Sequence, residues 1–535
     1  NPTILIGHNV MSYDLPYLDH VAAMNGVSLE LGRDGSNLTF NRFESKFRRD
    51  ATQFYHYHKP KIYGREVIDT MFLAIKYDVG RKYTSYGLKS IIAEEGLEVD
   101  GRQHYDASKI RDNYKDSDEW EKIKLYAAFD GDDALALYDL MSPAFFYMTQ
   151  SVPKPYQLMI ESASGSQLNS VMMRAYLQDQ HSLPKTSPPA EYEGAISFGN
   201  PGVYSNVFKV DVASLYPSIM IQHEVFNSYK DPKGYFKELV STFTKERLAD
   251  KKKFKETGDK YYNDLQAAKK IFANSTYGFL GASGLLFNSP DKAAFITRKG
   301  REILKQALAW AGDKGFTIVN ADTDSISFCK ADQSEFVDEC EKLLAELNDC
   351  FPEKIVWEDD GLFKKVVIVK AKNYVLDDGK KVKYKGAAIL ATSKEPALRD
   401  YIKETINVVL KGEKNYEGVY NKYVQEILNI KDIHRWAKKV TVTDKVLNPK
   451  RTNEQKVLDA IGEKEVQEGD KIYVYFRPDE SLALVDEYDG EYHVDRMLEK
   501  LYKTAKVFET IIEKDTFPNY KLKRNKPLLE ERFVV

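Results

Sequence analysis

Cysteine is scarce: Cys329, Cys340 and Cys350 are the only three in 535 residues. None of them forms a Cys-x-x-Cys spacing, which argues against a disulfide framework and against a zinc or iron–sulfur site. A reducing compartment follows. No long apolar run, signal peptide or transit peptide is present, which argues against membrane insertion and secretion. An initiating methionine is missing as well; Asn1 stands directly ahead of the apolar Ile4-Leu-Ile6, so the chain is expected to begin inside a domain. An excess of positive charge is also lacking, the formal net charge being -3.

What remains describes a globular protein. Hydrophobic residues at 43%, charged residues at 30% and a mean hydropathy of -0.49 supply ample material for packing. The length exceeds one core and predicts three to five domains or subdomains, on the general scale of about 100–200 residues each. Charge is segregated along the chain: Lys364, Lys365, Lys370, Lys372, Lys380, Lys381, Lys383 and Lys385 face only Asp377 and Asp378. Such segregation can make a basic groove on a nearly neutral protein, although a solvated lysine face is the better reading of any one cluster.

Ile4 to His8 reads as a buried strand, Asp14 to Met24 as a helix, and Tyr86–Gly96 and Glu119–Leu140 as further helices, the last with Asp116 and Glu119 as a capping box. Pro153, Pro155, Pro184, Pro188 and Pro189 bracket a connecting region. The strand Val207-Phe-Lys-Val210 then delivers Asp211. Tyr235–Lys255 and Lys260–Tyr277 read as two antiparallel helices that turn near Gly258, and Phe295–Trp310 as another. Phe316 to Phe328 reads as a hairpin with Asp322 and Asp324 near its tip; beyond Ala397 helices dominate, with a strand at Lys471–Phe476.

The run Asp211-Val-Ala-Ser-Leu-Tyr-Pro-Ser-Ile-Met220 and the triplet Asp322-Thr-Asp324 each place a carboxylate where a strand ends. Two such carboxylates brought together hold divalent metals against a triphosphate, so nucleotidyl transfer is the chemistry they suggest. A lone Asp-Thr-Asp would be a weak signal. Here Lys270-Ile-Phe-Ala-Asn274-Ser-Thr-Tyr277-Gly278 lies between the two, and the three segments together, in this order and spacing, resemble motifs A, B and C of family B DNA polymerases.

That resemblance implies a DNA-directed DNA polymerase of mixed α/β and α+β multidomain architecture: a right hand of palm, fingers and thumb beside a ribonuclease H-like exonuclease domain truncated at its N-terminus. The implied boundaries are exonuclease 1–150, connector 151–205, palm 206–232 with motif A, fingers 233–280, palm again 281–396 and thumb 397–535. Asp211 and Asp324 are implied to bridge two Mg2+ ions, for which Mn2+ can substitute, with the Val212 carbonyl as a further ligand. Asp322 either tunes that site or stabilises the hairpin turn.

Opposite the metals a triphosphate requires cations. Lys270 is the implied partner, with Arg247 and Lys251 one helical turn apart, unless the latter two serve Glu246 or Asp250 locally. Backbone amides of Leu215 and Tyr216 are implied to cradle phosphate oxygens, and the Tyr216 ring to exclude a 2′-hydroxyl. Asn274 and Tyr277 match positions lining the nascent base pair, beside Gly278. Lys370-Ala-Lys372-Asn-Tyr374 resembles the lysine–tyrosine motif that grips primer-template duplex, and Tyr192-Glu-Gly194-Ala195 the Tyr-x-Gly-Gly element, with Ala195 in place of its second glycine.

The first 140 residues resemble the family's 3′ to 5′ exonuclease. Gly7-His-Asn9-Val-Met-Ser-Tyr13-Asp14 is similar to its second motif and Tyr126-Ala-Ala-Phe-Asp130 to its third; Ile68-Asp69-Thr70 and Tyr86-Gly-Leu-Lys89 match elements between them. Asp14 and Asp130 are implied metal ligands, and Tyr126 orients the attacking water. The Asp-x-Glu pair of the first motif has no counterpart, so weak or absent exonuclease activity is expected of these residues.

Expected partners are primer-template DNA, deoxynucleoside triphosphates and, through Leu528-Leu-Glu-Glu-Arg-Phe533, a sliding clamp, that segment reading otherwise as a frayed end; no membrane is expected. Lys438, Lys439, Lys450, Arg451 and the run Lys521-Leu-Lys523-Arg524-Asn-Lys526 are expected to line the thumb. The compact pair of helices between motifs A and B favours ordinary primer extension over protein priming and leans toward a viral or phage enzyme. The alternative function is a catalytically inactive, DNA-binding replisome subunit, which the retained Asp211 and Asp324 disfavour.

Overall fold

The computed structural model describes residues 2–48, 54–78, 83, 85–99, 101–106, 109–386, 389, 394–442, 444–464, 466 and 471–520. The chain divides into two units, Asn1–Glu193 with Tyr216–Thr297, and Gly194–Leu215 with Arg298–Val535.

In the first unit, β1 (Ile4–Gly7) and β4 (Glu66–Asp69) pair in parallel, Ile6 opposite Ile68 and Gly7 opposite Asp69. A π-helical turn, Val10–Asp14, leads from β1 into α1 (Leu15–Met24). The hairpin of β2 (Ser45–Arg48) and β3 (Phe54–Tyr57) packs Phe47 on Phe72 of α2 (Thr70–Tyr77), ring centroids 4.0 Å apart. α3 (Leu88–Glu95) is shorter than its sequence pattern suggests.

α4 (Ser117–Thr149) begins where the Asp116 carboxylate accepts the Asp118 and Glu119 amides. The expected capping box is half formed, because the Glu119 carboxylate accepts from Tyr105 and Lys122 instead of reaching back. The helix also runs nine residues past its expected end at Leu140 and through Pro143. Leu137, Met141, Phe145 and Met148 continue one buried stripe across that proline. Packing of the stripe outweighs the roughly 3 kcal/mol that an interior proline costs.

α5 (Ser164–Gln178), α6 (Leu215–Gln222) and the antiparallel pair α7 (Tyr235–Thr257) and α8 (Lys260–Gly281) complete this unit with the start of α9 (Pro290–Asp313). Gly258, at φ +69°, ends α7 in the left-handed conformation that favours glycine, and Asp259 caps α8 by accepting the Tyr261 amide. Phe243 and Phe272 stack between the two helices at 4.6 Å.

The second unit is built on a seven-stranded antiparallel sheet of order β11-β10-β9-β6-β8-β7-β5. Its strands are β5 (Ser197–Gly199), β6 (Gly202–Val212), β7 (Phe316–Asp322), β8 (Ser325–Lys330), β9 (Trp357–Lys370), β10 (Asn373–Asp377) and β11 (Val382–Lys385). The central β6 alternates at its end: Val210 and Val212 are buried, while Lys209 and Asp211 between and beside them point to the other face. Register is therefore fixed by burial, since a one-residue slip would bury the charges.

α10 (Pro396–Lys411), α11 (Tyr416–Leu428) and α12 (Val494–Lys506) share a core around Tyr401, Tyr420 and Leu501, each fully buried. A three-stranded antiparallel sheet of β12 (Lys438–Thr441), β13 (Lys471–Phe476) and β14 (Leu482–Leu484) belongs to the same region. Sequence pattern revealed β13 alone, because its two partners span four and three residues, too few for a period to register. The basic run at 521–526 and the segment Leu528–Phe533 lie outside the described residues.

Candidate active site

β8 lies beside β6 with Ser325 opposite Asp211, and β9 lies on the other side with Glu358 opposite Asp211. The β7–β8 hairpin turns through Thr323 and Asp324, Ser325 pairing with Asp322. Thr323 holds φ +60°, uncommon for a β-branched residue, and Ser214 just past motif A holds φ +53°. Backbone strain thus sits on both sides of the carboxylates, as it does at many functional sites. The Val212 amide donates to the Asp324 carbonyl at 2.8 Å, which ties the end of β6 to the hairpin tip.

Burial pushes the Asp211 carboxyl up to about 7, and the Asp324 charge adds to the effect while Lys209 opposes it. Burial likewise raises Asp324. One Asp211 oxygen, Oδ1, is buried with no hydrogen-bond partner. A buried, partnerless carboxylate oxygen beside a second carboxylate is an arrangement that a cation relieves. Among the described residues no group of three or more His, Cys, Asp or Glu gathers for a metal. The pair would need the Val212 carbonyl and substrate oxygens to complete a coordination shell.

Asp322 stands slightly apart. Its Oδ1 is 3.7 Å from Lys372 Nζ and accepts a 3.3 Å bond from the Thr323 hydroxyl. Lys372, at φ +60°, extends into solvent. Tyr374 does the opposite, being 7% exposed within a small apolar cluster with Val207 and Phe363. Gly194, also in this unit, gives its carbonyl to Arg301 Nη1 at 2.7 Å.

Three residues here escaped sequence reasoning. Lys209 shares a face of β6 with Asp211 and is ion-paired with Asp360. Asp360 occupies the register irregularity between Asp359 and Gly361, where β9 bulges against β6. Burial works against the Lys209 charge, yet Asp360 outweighs it and the pKa ends raised. Glu358 and Asp360 both add to the field on Asp211. The signal for them was the acidic Glu358-Asp-Asp360 run ahead of Gly361, a poor composition for a central strand interior unless it serves a site.

In the first unit, the Tyr216 and Tyr277 rings meet at 4.5 Å, and the Tyr277 hydroxyl lies 3.4 Å from that of Tyr192. Lys270 and Asn274 project from the exposed side of α8. Arg247 is 8% exposed, whereas Lys251 is half-buried. Glu246 and Asp250, the alternative partners for that pair, accept Lys269 of α8 at 2.9 and 2.7 Å. Gly278 faces open space; the glycine that packing demands is Gly281, where a Cβ would lie 2.4 Å from the Tyr192 hydroxyl.

The carboxylates of the N-terminal region have different surroundings. Asp69 is fully buried and accepts the amides of Asn9 (2.9 Å), Met11 (3.1 Å) and Met71 (3.0 Å), so it clamps the π-helical turn onto α2. Burial lifts its pKa to about 6 against those three bonds. Asp14, at the end of the turn, is also raised by desolvation. Asp130 accepts a 2.9 Å bond from Arg102, whose guanidinium also pairs with Asp133 and is itself buried. Tyr126 accepts from Lys89 Nζ at 2.5 Å, and that ammonium lies over its ring. Sequence reasoning missed Arg102, which sits in a loop with no motif around it.

The sequence pattern of DNA polymerase family B matches residues 222–461, a span that contains the Lys270, Asp322–Asp324 and Lys372 segments and starts after Asp211. A DNA polymerase of Archaeoglobus fulgidus is 26% identical over 467 residues, covering 81% of this chain and 55% of the relative. DNA polymerase 1 of Pyrococcus abyssi is 23% identical over 463 residues, covering 80% and 58%. The chain thus spans a little over half the length of these relatives. In fold it is similar to the family B DNA polymerase of Pyrobaculum calidifontis, with a TM-score of 0.70 at 18% identity over 96% of this chain and 70% of that one. Taken with the ordered motifs along the sequence, these matches make the chain similar to family B DNA polymerases, in sequence pattern over residues 222–461 and in fold over most of its length.

Proposed function

We propose that the chain extends a DNA primer on a template, joining deoxynucleotides to the primer 3′-hydroxyl at the Asp211–Asp324 site. The observation that carries the reading is the buried carboxylate pair with its partnerless Asp211 oxygen. Divalent ions, Mg2+ with Mn2+ able to replace it, would be held by Asp211, Asp324 and the Val212 carbonyl and would neutralise the triphosphate and activate the attacking hydroxyl. In the reaction the 3′-oxygen bonds to the α-phosphorus, the α–β bridging bond breaks and pyrophosphate leaves.

The chain's own groups perform the positioning. Lys270, Arg247 and Lys251 answer the phosphate charge, with the Leu215 and Tyr216 amides as donors. Tyr216, held by Tyr277, is the sugar gate against a 2′-hydroxyl, and Asn274 lines the base pair. Lys209 opposes the rise in the carboxylate pKa values, and Asp360 holds Lys209 in place. Lys372 contacts duplex phosphate, so binding is salt-dependent and sequence-independent; Tyr374 supports it from within the sheet. Tyr192 and Gly194 line the path of the template.

The domain assignments follow the family: exonuclease 1–150, palm around 206–232 and 281–396, fingers 233–280 and thumb from 397. These residues alone trim DNA poorly at Asp14, Tyr126 and Asp130, because Asp130 is already paired with Arg102. The test is extension of a primed template with deoxynucleotides or ribonucleotides in Mg2+. The reading expects deoxynucleotide incorporation, and ribonucleotide incorporation only in Tyr216→Ala; no incorporation of either by the wild type would overturn it.

A further inference from the structure

A cavity of about 830 Å³ lies in the first unit against the side of α8 that carries Lys270 and Asn274. This is within the range of small-molecule sites, roughly 300–1,000 Å³. Its floor is apolar, formed by Ile75, Met141, Ala144, Phe145 and Ile271, and cations stand along it at Lys46, Arg48 and Lys270. Lys76 also faces it but already donates to the Met159 and Ser162 carbonyls at 3.0 and 2.6 Å. The two acids of the lining are neutralised locally, Glu161 by Lys59 and Asp264 by Lys260 at 2.7 Å. The lining carries five cations, Lys46, Arg48, Lys76, Lys260 and Lys270, against those two acids, so its net charge is positive.

The positions of α8 that line it, among them Asn263, Ala267, Lys270 and Asn274, recur at helical spacing. The same stripe continues one turn on to Tyr277, whose ring meets Tyr216. From Asn263 to Tyr277 the helix rises about 21 Å at 1.5 Å per residue. An apolar floor, a cationic margin and a helical stripe ending at Tyr277, against Tyr216, give a route as well as a pocket.

We propose that this cavity is a holding site for a nucleoside triphosphate, its base on the Met141–Phe145 floor and its phosphates on Lys46, Arg48 and Lys270. Lys270 is common to the holding site and the reaction site, so a nucleotide moves along α8 toward Tyr216 without losing that contact. The role rests on the polymerase reading; the binding itself does not.

The test is equilibrium binding of a labelled, non-hydrolysable deoxynucleoside triphosphate to the whole chain, without DNA and in EDTA, where the carboxylate pair has no metal to offer. Saturable binding is expected, weakened about tenfold or more by Lys46→Glu with Arg48→Glu, whose loss removes charge-assisted hydrogen bonds. Ala144→Trp, which fills the floor, should abolish it. Both variants should extend primers at saturating nucleotide within about twofold of wild type, with a raised apparent KM for nucleotide, as expected when a positioning site and not the chemical step is removed. Thermal melts establish that each is folded, and if Ala144→Trp is not, the surface charge reversal decides. No binding by the wild type, or unchanged binding in the charge-reversed variant, overturns the holding site. Normal extension with no such binding leaves the polymerase reading standing; binding lost in the variants of a chain that extends no primer does the reverse.

Discussion

Two sets of acids in this chain lie in segments that resemble family motifs and differ in how their carboxylates are partnered. Around Asp211 and Asp324, burial and the charges of neighbouring acids raise both groups, and one oxygen has no protein partner. Around Asp69 and Asp130 the demand is already met, by three backbone amides in one case and by Arg102 in the other. Motif resemblance alone ranks the two sites alike; their partners do not. A site that awaits a cation is recognised by what its carboxylates lack.

The largest effect should come from the first set. Asp211→Asn and Asp324→Ala are each expected to lower primer extension by about a thousandfold or more, which is ~4 kcal/mol of transition-state stabilisation. Steady-state extension rates check it. Next, Arg102→Ala would leave Asp133 buried and Asp130 half-buried without their cation, and breaking a buried pair such as Arg102–Asp133 costs about 3–5 kcal/mol. Denaturant unfolding should show that loss, and trimming of a primer should not recover.

Gly281→Ala places a methyl against the Tyr192 hydroxyl and should cost about 1–3 kcal/mol. Tyr192→Phe in the same chain should return part of that, which a double-mutant cycle on melting temperature measures. A pH effect is expected at Asp211. The folded pKa of Asp211 is raised, so the metal-free fold binds its proton more tightly than the unfolded chain, and its contribution to stability is lost as pH rises through about 7. Asp211→Asn should therefore stabilise the metal-free protein relative to wild type at pH 8 and change it little at pH 4, read by calorimetry in EDTA. Smallest of all, Lys372→Ala should reduce the salt slope of DNA binding by about one unit, uniformly across sequences.

The candidate residues of each unit were legible in the sequence where they lie in local patterns. A strand that ends in Asp211, a hairpin tip at Asp322–Asp324 and a helix with Lys270, Asn274 and Tyr277 on one side each follow from short-range pattern. What escaped depends on pairing across strands or on loops. Glu358 and Asp360 face Asp211 and Lys209 only because β9 lies in one register against β6 and bulges there. Arg102 reaches Asp130 and Asp133 from a loop 28 residues upstream of the former, and no periodicity marks it. The role of Gly281 was hidden because its requirement comes from Tyr192, 89 positions away in the numbering. The run of α4 past Pro143 was misjudged for a related reason: its buried stripe, not its local propensity, sets its length.

The difference between the two acid sets is tested most directly on one labelled primer-template in Mg2+, with and without deoxynucleotides, using wild type and Asp324→Ala. The account predicts that wild type lengthens the primer when nucleotides are present and scarcely shortens it when they are absent, and that the variant does neither. Extension by the variant at the wild-type rate, or efficient trimming by the wild type, would contradict it.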